Sequence, residues 1–78
     1  MGRIKKVHIT SKVILYKDSI DLDRCILFLR QGEEVIINVS LVTCIEKIKV
    51  IYFISGFVMA FNGKRKKIEE NIYSFKIK

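Results

Sequence analysis

Few side chains in this 78-residue chain have the type and spacing that chemistry requires. His8 has no neighbouring ligand or nucleophile, so we expect a strand histidine without a catalytic role. Cys25 and Cys44 are far apart and neither belongs to a Cys-X-X-Cys pair, so both are expected to be buried, inert thiols. The pairs Glu33-Glu34 and Glu69-Glu70 fall at expected turns, where carboxylates are solvated. The sequence therefore predicts no catalytic or metal site and no cofactor, and an enzyme is the least favoured interpretation.

Composition favours a protein that works by binding. The formal net charge is +7, half of the residues are hydrophobic and the mean hydropathy is +0.24. A chain this short buries only roughly 60% of the surface that its unfolded form exposes, so surplus apolar side chains are expected to meet a partner. The cations form one group at Arg3, Lys5 and Lys6 and a second group, the basic patch. The basic patch consists of Lys64, Arg65, Lys66 and Lys67. It suits anionic partners, whether acidic peptides, phospholipid headgroups or nucleic acid.

No segment of the sequence has the pattern of a membrane span or a secretion signal. The longest apolar run, residues 50–61, has about half the length that a bilayer requires and contains Ser55-Gly56. The first six residues lack the apolar core and cleavage site of a signal peptide. We therefore expect a cytoplasmic protein.

Hydrophobic periodicity and turn residues predict the order β-α-β-α-β-β-β within a single domain, residues 1–78. The strands are expected at Lys12–Tyr16, Val35–Val39, Phe57–Phe61, Lys64–Ile68 and Ile72–Ile77, with a weak additional strand at Val7–Thr10. The helices are expected from Asp18 or Ser19 to Gly32 and from Thr43 to Gly56, with Asn62-Gly63 as a hairpin turn. The fold class is thus α/β, a two-layer sandwich with two helices on one face of a mixed sheet, whose first two strands are parallel.

Each helix carries more apolar residues than one stripe can hold. The stripe expected to face the sheet is Leu22, Cys25, Ile26 and Leu29 on the first helix and Cys44, Ile45, Ile48, Ile51, Tyr52 and Ser55 on the second. The residues left outside these stripes are Ile20, Leu27, Phe28, Val50, Phe53 and Ile54. The surplus predicts a dimer with a helical interface. The alternative is that the C-terminal ends of both helices lie deeper in the monomer.

A resemblance to a known family rests on residues 30–73. Glu34-Val35-Ile36-Ile37-Asn38-Val39 is followed by a helix ending in Phe53-Ile54-Ser55-Gly56, then by Phe57-Val58-Met59-Ala60-Phe61 and Asn71-Ile72-Tyr73. This pattern and its spacing resemble the core domain of the SepF family of cytoplasmic cell-division factors. The domain would be a SepF-like core without the N-terminal amphipathic helix and linker that the family normally carries.

The resemblance implies a function at the division site, near the inner face of the membrane. SepF proteins self-associate as dimers, and some polymerise further. They bind the C-terminal tail of the tubulin-like protein FtsZ, a short acidic and apolar peptide, and link it to the membrane. The resemblance places self-association at Gly56 and Tyr73, to which the surplus adds Phe28, Val50, Phe53 and Ile54. The membrane would be reached through a missing segment or indirectly. The alternative is a small basic nucleic-acid-binding α/β module that grips a strand with the basic patch, Tyr73 and Phe75.

Overall fold

The computed structural model describes residues 11–77, which form strands and helices in the order β-α-β-α-β-β. The elements are β1 (Ser11–Leu15), α1 (Ser19–Arg30), β2 (Glu34–Asn38), α2 (Cys44–Ala60), β3 (Lys64–Glu69) and β4 (Ile72–Lys76). The weak strand expected at Val7–Thr10, His8 within it and the cations Arg3, Lys5 and Lys6 lie outside the described residues.

The sheet is mixed and has the strand order β1-β2-β4-β3. β1 and β2 are parallel neighbours joined through α1, as the sequence predicts for a β-α-β unit. β2 lies between β1 and β4, which explains its β-branched composition, since a central strand has no exposed edge. β3 and β4 form an antiparallel hairpin, and β3 is an edge strand.

Both helices cover the same face of this sheet. Alternate strand residues, Ile14, Val35, Ile37 and Phe75, are buried on that face in one cluster with Cys25 and Leu29 of α1. α2 adds Val50, Ile51, Ile54 and Val58 to the same cluster. The coarse α/β expectation is therefore confirmed, with helices in one layer and strands in the other. The residues between the buried ones point away from the helices and form what we call the open face.

The strand expected at Phe57–Phe61 is wrong, because α2 continues through this segment to Ala60. Because the helix continues, Val58 lies on the same buried side as Val50, Ile51 and Ile54. The added turn therefore contributes one more apolar side chain to the core. Gly56 consequently lies in the middle of the helix and does not cap it. The turn expected at Asn62-Gly63 exists but ends the helix: Asn62 has φ 60°, and the amides of Asn62 and Gly63 donate to the carbonyls of Met59 and Val58 at 3.0 and 2.8 Å.

The prediction of which α2 residues face the sheet is also wrong, except at Ile51, which is buried as expected. Ile45 and Tyr52 are 68% and 69% exposed, whereas Val50 and Ile54, expected outside the core, are only 4% and 0% exposed. α2 is apolar on nearly all sides, so hydrophobic periodicity alone is compatible with two different buried stripes. The folded chain buries the stripe that contains Val50 and Ile54. Val50 and Ile54 therefore cannot bind a partner.

The first turns of both helices are capped as the sequence indicates. The carboxylate of Asp18 accepts the amide of Ile20 at 3.0 Å and makes a capping box with Asp21. The hydroxyl of Thr43 accepts the amide of Glu46 at 3.2 Å. Cys44, which follows this cap, is exposed, so its expected burial is wrong, whereas Cys25 is buried as expected.

Candidate functional site: a groove between α2 and β3

A concavity with a mixed lining lies where α2 passes beside the edge strand β3. Two depressions follow one another along this line, one of about 290 Å³ and one of about 550 Å³, and Arg65 lines both. We call them together the α2–β3 groove. The residues lining it are Lys47, Ile48, Ile51, Tyr52, Ser55, Met59, Gly63, Lys64, Arg65, Lys67 and Tyr73.

The floor of the groove is apolar and comes mainly from α2. Ile48, Tyr52 and Met59 recur at spacings of four and seven residues, which puts them on the side of the helix that faces β3. Tyr73 of β4 completes the floor, with its ring stacked near that of Phe75 at a centroid distance of 6.4 Å. Ile48, Tyr52 and Met59 are all exposed, so the floor is apolar surface that the described monomer leaves in contact with water.

The rim of the groove is cationic because β3 alternates its side chains between two faces. Arg65 and Lys67 are paired in register with Phe75 and Tyr73, so they lie on the helix side. The guanidinium of Arg65 donates to the hydroxyl oxygen of Ser55 at 3.2 Å, and that hydroxyl donates to the carbonyl of Ile51 at 2.6 Å. Arg65 is thereby held beside α2 with its remaining donors available to a ligand.

One acidic side chain closes the end of the groove nearest the β3–β4 turn. The carboxylate of Glu70 lies 3.7 Å from Lys47 Nζ and 3.8 Å from Lys67 Nζ, and Lys47 also donates to Asn71 Oδ1 at 3.0 Å. Because the Glu70 side chain is 79% exposed, these ion pairs are screened and weak. A carboxylate of a bound peptide could therefore replace Glu70 between the two lysines at small cost.

The ionisable groups with shifted pKa values lie outside the groove. Hydrogen bonds from Ser74 and Ser11 lower the pKa of Glu34, and a backbone hydrogen bond from Lys17 is the main cause of the lowered pKa of Asp21. Burial raises the pKa of Cys25 to about 12, so this thiol is inert. Within residues 11–77, no group of three or more His, Cys, Asp or Glu side chains could hold a metal ion.

The structure brings together only part of the predicted site. Arg65, Lys67 and Tyr73 meet in the groove, whereas Lys66 lies on the open face. Phe28 is half-buried against the core. Ile48, Tyr52 and Met59 were not predicted as site residues. The signal that could have found them is that α2 has too many apolar positions for one buried stripe.

Phe53 and Gly56 lie on another side of α2, on what we call the outward ridge. This ridge consists of Ile45, Lys49, Phe53, Gly56 and Ala60, all exposed and spaced by three or four residues. A Cβ atom built on Gly56 meets no atom within 4 Å. Apart from Lys49, the ridge is therefore an apolar surface with a flat point at Gly56, where another polypeptide could approach closely.

Neither helix of residues 11–77 combines the length and the hydrophobicity that crossing a membrane demands. No family model matches this sequence, and no curated protein is significantly similar to it.

Proposed function

We propose that the chain is a cell-division factor of the SepF type that self-associates and binds the C-terminal tail of FtsZ in the α2–β3 groove. The observation that carries the proposal is the groove itself, which combines an apolar floor with a cationic rim. A short peptide of acidic and apolar residues has the complementary chemistry. In this role the protein helps to tether FtsZ to the membrane at the division site.

Three residues that carry the resemblance, Asn38, Ser55 and Tyr73, have structural roles that support the proposal. Residues 57–61, which also carry it, are helical and do not form the expected strand. Ser55 holds Arg65 at the rim, and Tyr73 forms part of the floor. The side chain of Asn38 accepts the amide of Ser40 at 2.9 Å, which fixes the turn that leads from β2 towards α2. These parts of the motif thus shape or position the groove, even though they are spread over the chain.

Self-association is proposed on the outward ridge of α2, next to the groove. The segment from Val50 to Phe61 contains no charged residue, and a helix that is apolar on all sides is normally covered on all sides. The monomer covers one side with the sheet and leaves the ridge and groove floor open. A second copy on the ridge would cover Phe53 and Gly56 and leave the cationic rim free for peptide.

Nucleic-acid binding is less well supported than peptide binding. That alternative combined the basic patch with Tyr73 and Phe75 as stacking platforms. Phe75 is fully buried and Tyr73 is half-buried on the helix side. Stacked bases therefore lack the pair of exposed rings that strand binding uses.

The test is a calorimetric titration of a synthetic FtsZ C-terminal tail peptide into the protein. We expect saturable binding that the double variant Arg65→Gln, Lys67→Gln weakens by about tenfold or more, because both cations face the groove. The matched control is Lys66→Gln, which removes a charge from the same strand on the other face and should change the affinity by less than about threefold.

Two results would contradict the proposed function. The first is the absence of binding by the wild-type protein at micromolar concentrations, with circular dichroism showing a folded chain. The second is equal weakening by the groove variant and the Lys66→Gln control, since this would mean that the peptide responds to net charge and does not occupy the groove.

A further inference from the structure

The open face of the sheet carries an unusual concentration of positive charge at one corner. Lys64 and Lys76 are directly opposite each other in the β3–β4 register, and Lys66 is opposite Ser74 in the next row on the same face. Like charges in directly opposite positions destabilise a sheet. Within the described part of the chain, none of these three lysines forms a salt bridge. An anionic partner would relieve this repulsion.

The nearest acidic group on the open face is already engaged. Glu34 accepts hydrogen bonds from the hydroxyls of Ser11 and Ser74 at 2.9 and 2.6 Å. Lys76 and Lys66 lower its pKa further, so the carboxylate remains ionised and neutralises only part of the lysine charge. Glu69 lies at the other end of β3 from Lys64.

The rest of the open face is apolar and lies mainly on β1 and β2. Val13 is 71% exposed and is paired in register with Ile36, and Leu15, two residues further along β1, is also exposed. Ile72 of β4 is opposite Asn38 in the same row as Leu15. The open face thus joins an apolar region to a cationic corner on one nearly continuous surface.

The composition of this face distinguishes between two kinds of polyanion. The aromatic residues Tyr16, Tyr73 and Phe75 alternate with open-face positions and lie on the helix side. Phe61 is exposed and lines a depression with Lys64 and Lys76, but one ring at the corner does not give the series of stacking platforms on which successive bases of a single strand bind. Branched aliphatic side chains beside lysines instead suit the surface of an anionic bilayer, where the aliphatic groups enter the interface and the lysines meet phosphates.

We propose that the open face is a docking surface for a bilayer that contains anionic lipid. The surface meets the α2–β3 groove at Lys64, and its other residues lie outside the groove. The inference does not depend on the proposed binding of FtsZ. The surface would let the described domain contact the membrane through its own sheet while Arg65 and Lys67, on the helix side, remain accessible.

The first experiment measures binding of the protein to sedimenting vesicles of phosphatidylcholine, with and without about one third phosphatidylglycerol. We expect binding only to the anionic vesicles, with an affinity that falls as salt is added. The double variant Lys66→Gln, Lys76→Gln should reduce the partition coefficient by roughly 30-fold. The matched control Arg65→Gln, Lys67→Gln removes the same charge from the helix side and should cost less than about threefold.

The second experiment uses tryptophan as a local probe, because the natural chain contains none. The Val13→Trp variant should show blue-shifted emission when anionic vesicles are added. The control Ile20→Trp, at an exposed position of α1, should not shift. Circular dichroism of each variant checks that the fold is retained.

The inference would be overturned by any of four results. The first is that the protein does not bind anionic vesicles at low salt, and the second is that the two double variants lose equal affinity for them. The third is an unshifted Val13→Trp emission spectrum in vesicle-bound protein. The fourth is that a single-stranded oligonucleotide binds more tightly than lipid and that Lys66→Gln, Lys76→Gln abolishes this binding. A lipid-free change of oligomeric mass in Lys66→Gln, Lys76→Gln would instead assign the open face to a second copy. If Lys66→Gln, Lys76→Gln still binds the FtsZ tail peptide, a negative vesicle result would concern the open face alone and would leave the proposed function standing.

Discussion

The two helices lie on the same face of the same sheet but differ in how many of their apolar side chains the monomer buries. α1 buries Cys25 and Leu29 together with Asp21, whose carboxylate lies 3.3 Å from Arg24 Nη1. α2 buries Val50, Ile51, Ile54 and Val58, yet its exposed side is apolar too. Two large apolar side chains of α1, Ile20 and Leu27, are exposed. α2 exposes five, namely Ile45, Ile48, Tyr52, Phe53 and Met59, so it leaves the larger apolar surface for contacts outside the monomer. This difference makes α2 and the edge strand beside it the surfaces on which binding should be tested first.

The largest expected effect separates the buried from the exposed side of α2. Ile54→Ala should lower the free energy of unfolding by about 2–5 kcal/mol, because it opens a cavity in the core. Phe53→Ala, one residue away on the outward ridge, should cost less than about 1 kcal/mol at concentrations where the chain is monomeric. Urea unfolding monitored by circular dichroism measures both. If both variants lost a similar free energy of unfolding, Phe53 would belong to the core, and the distinction between a buried and an exposed side of α2 would be wrong.

Gly63 tests how α2 is joined to β3. A Cβ atom at this position would overlap the carbonyl oxygen of Lys76, a Cγ atom of Val58 and the Cα atom of Ile77. We expect Gly63→Ala to destabilise the fold by about 1–3 kcal/mol, because two of these neighbours are backbone atoms. Gly56→Ala, where the added methyl group meets open space, is the control. A Gly63→Ala variant as stable as the control would contradict the close approach of the helix end to β4.

A smaller effect is expected on α1 at Asp21. Its carboxylate accepts the amide of Lys17 at 2.8 Å, and its pKa is lowered from 3.8 in the folded state. The resulting stabilisation is present above the pKa of the unfolded chain and is lost as the pH falls through the lower folded pKa. Asp21→Asn should therefore be less stable than the wild type by about 1–2 kcal/mol at neutral pH. The difference should shrink below pH 3.8. Urea midpoints at both ends of this range provide the measurement, and a constant gap would contradict it.

The smallest effect on stability is expected at Gly56, where the consequence for association should be large. Gly56→Ala and Gly56→Lys should each stabilise the helix by up to about 1 kcal/mol, since glycine is unfavourable inside a helix. Only the lysine variant adds a charge to the outward ridge, and only this variant should lose self-association. Gly56 lies in the middle of α2, so neither substitution disturbs a helix cap. Unchanged assembly of Gly56→Lys would exclude this part of the ridge.

Much of the fold could be predicted because local signals agreed with burial. The caps at Asp18 and Thr43, the β-branched strand β2 and the alternation in β4 each identified an element close to its observed bounds. The strand prediction for residues 57–61 was wrong because an apolar, partly aromatic run is compatible with a strand and with a helix. The preference of Asn62 for positive φ was correctly recognised, but the same geometry serves both a hairpin and a helix end.

The groove was harder to predict than the elements. The basic patch and Tyr73 were recognised from residue type, but their arrangement depends on which face of β3 each residue occupies. Arg65 and Lys67 meet Tyr52 only because α2 buries Val50 and Ile54 and turns Tyr52 outwards. The rotation of α2 about its axis depends on tertiary packing, because its two candidate stripes have similar hydrophobicity. The sequence alone therefore could not predict which stripe is buried.

Sedimentation equilibrium across a concentration series from below to above the micromolar range tests most directly whether another polypeptide covers the exposed apolar residues of α2. For the wild-type chain we predict a mass that rises from the 9.1 kDa of one subunit to at least twice that value. The Phe53→Ala variant should need higher concentrations to reach it. A folded wild-type protein that stays at 9.1 kDa throughout would show that no second copy covers these residues.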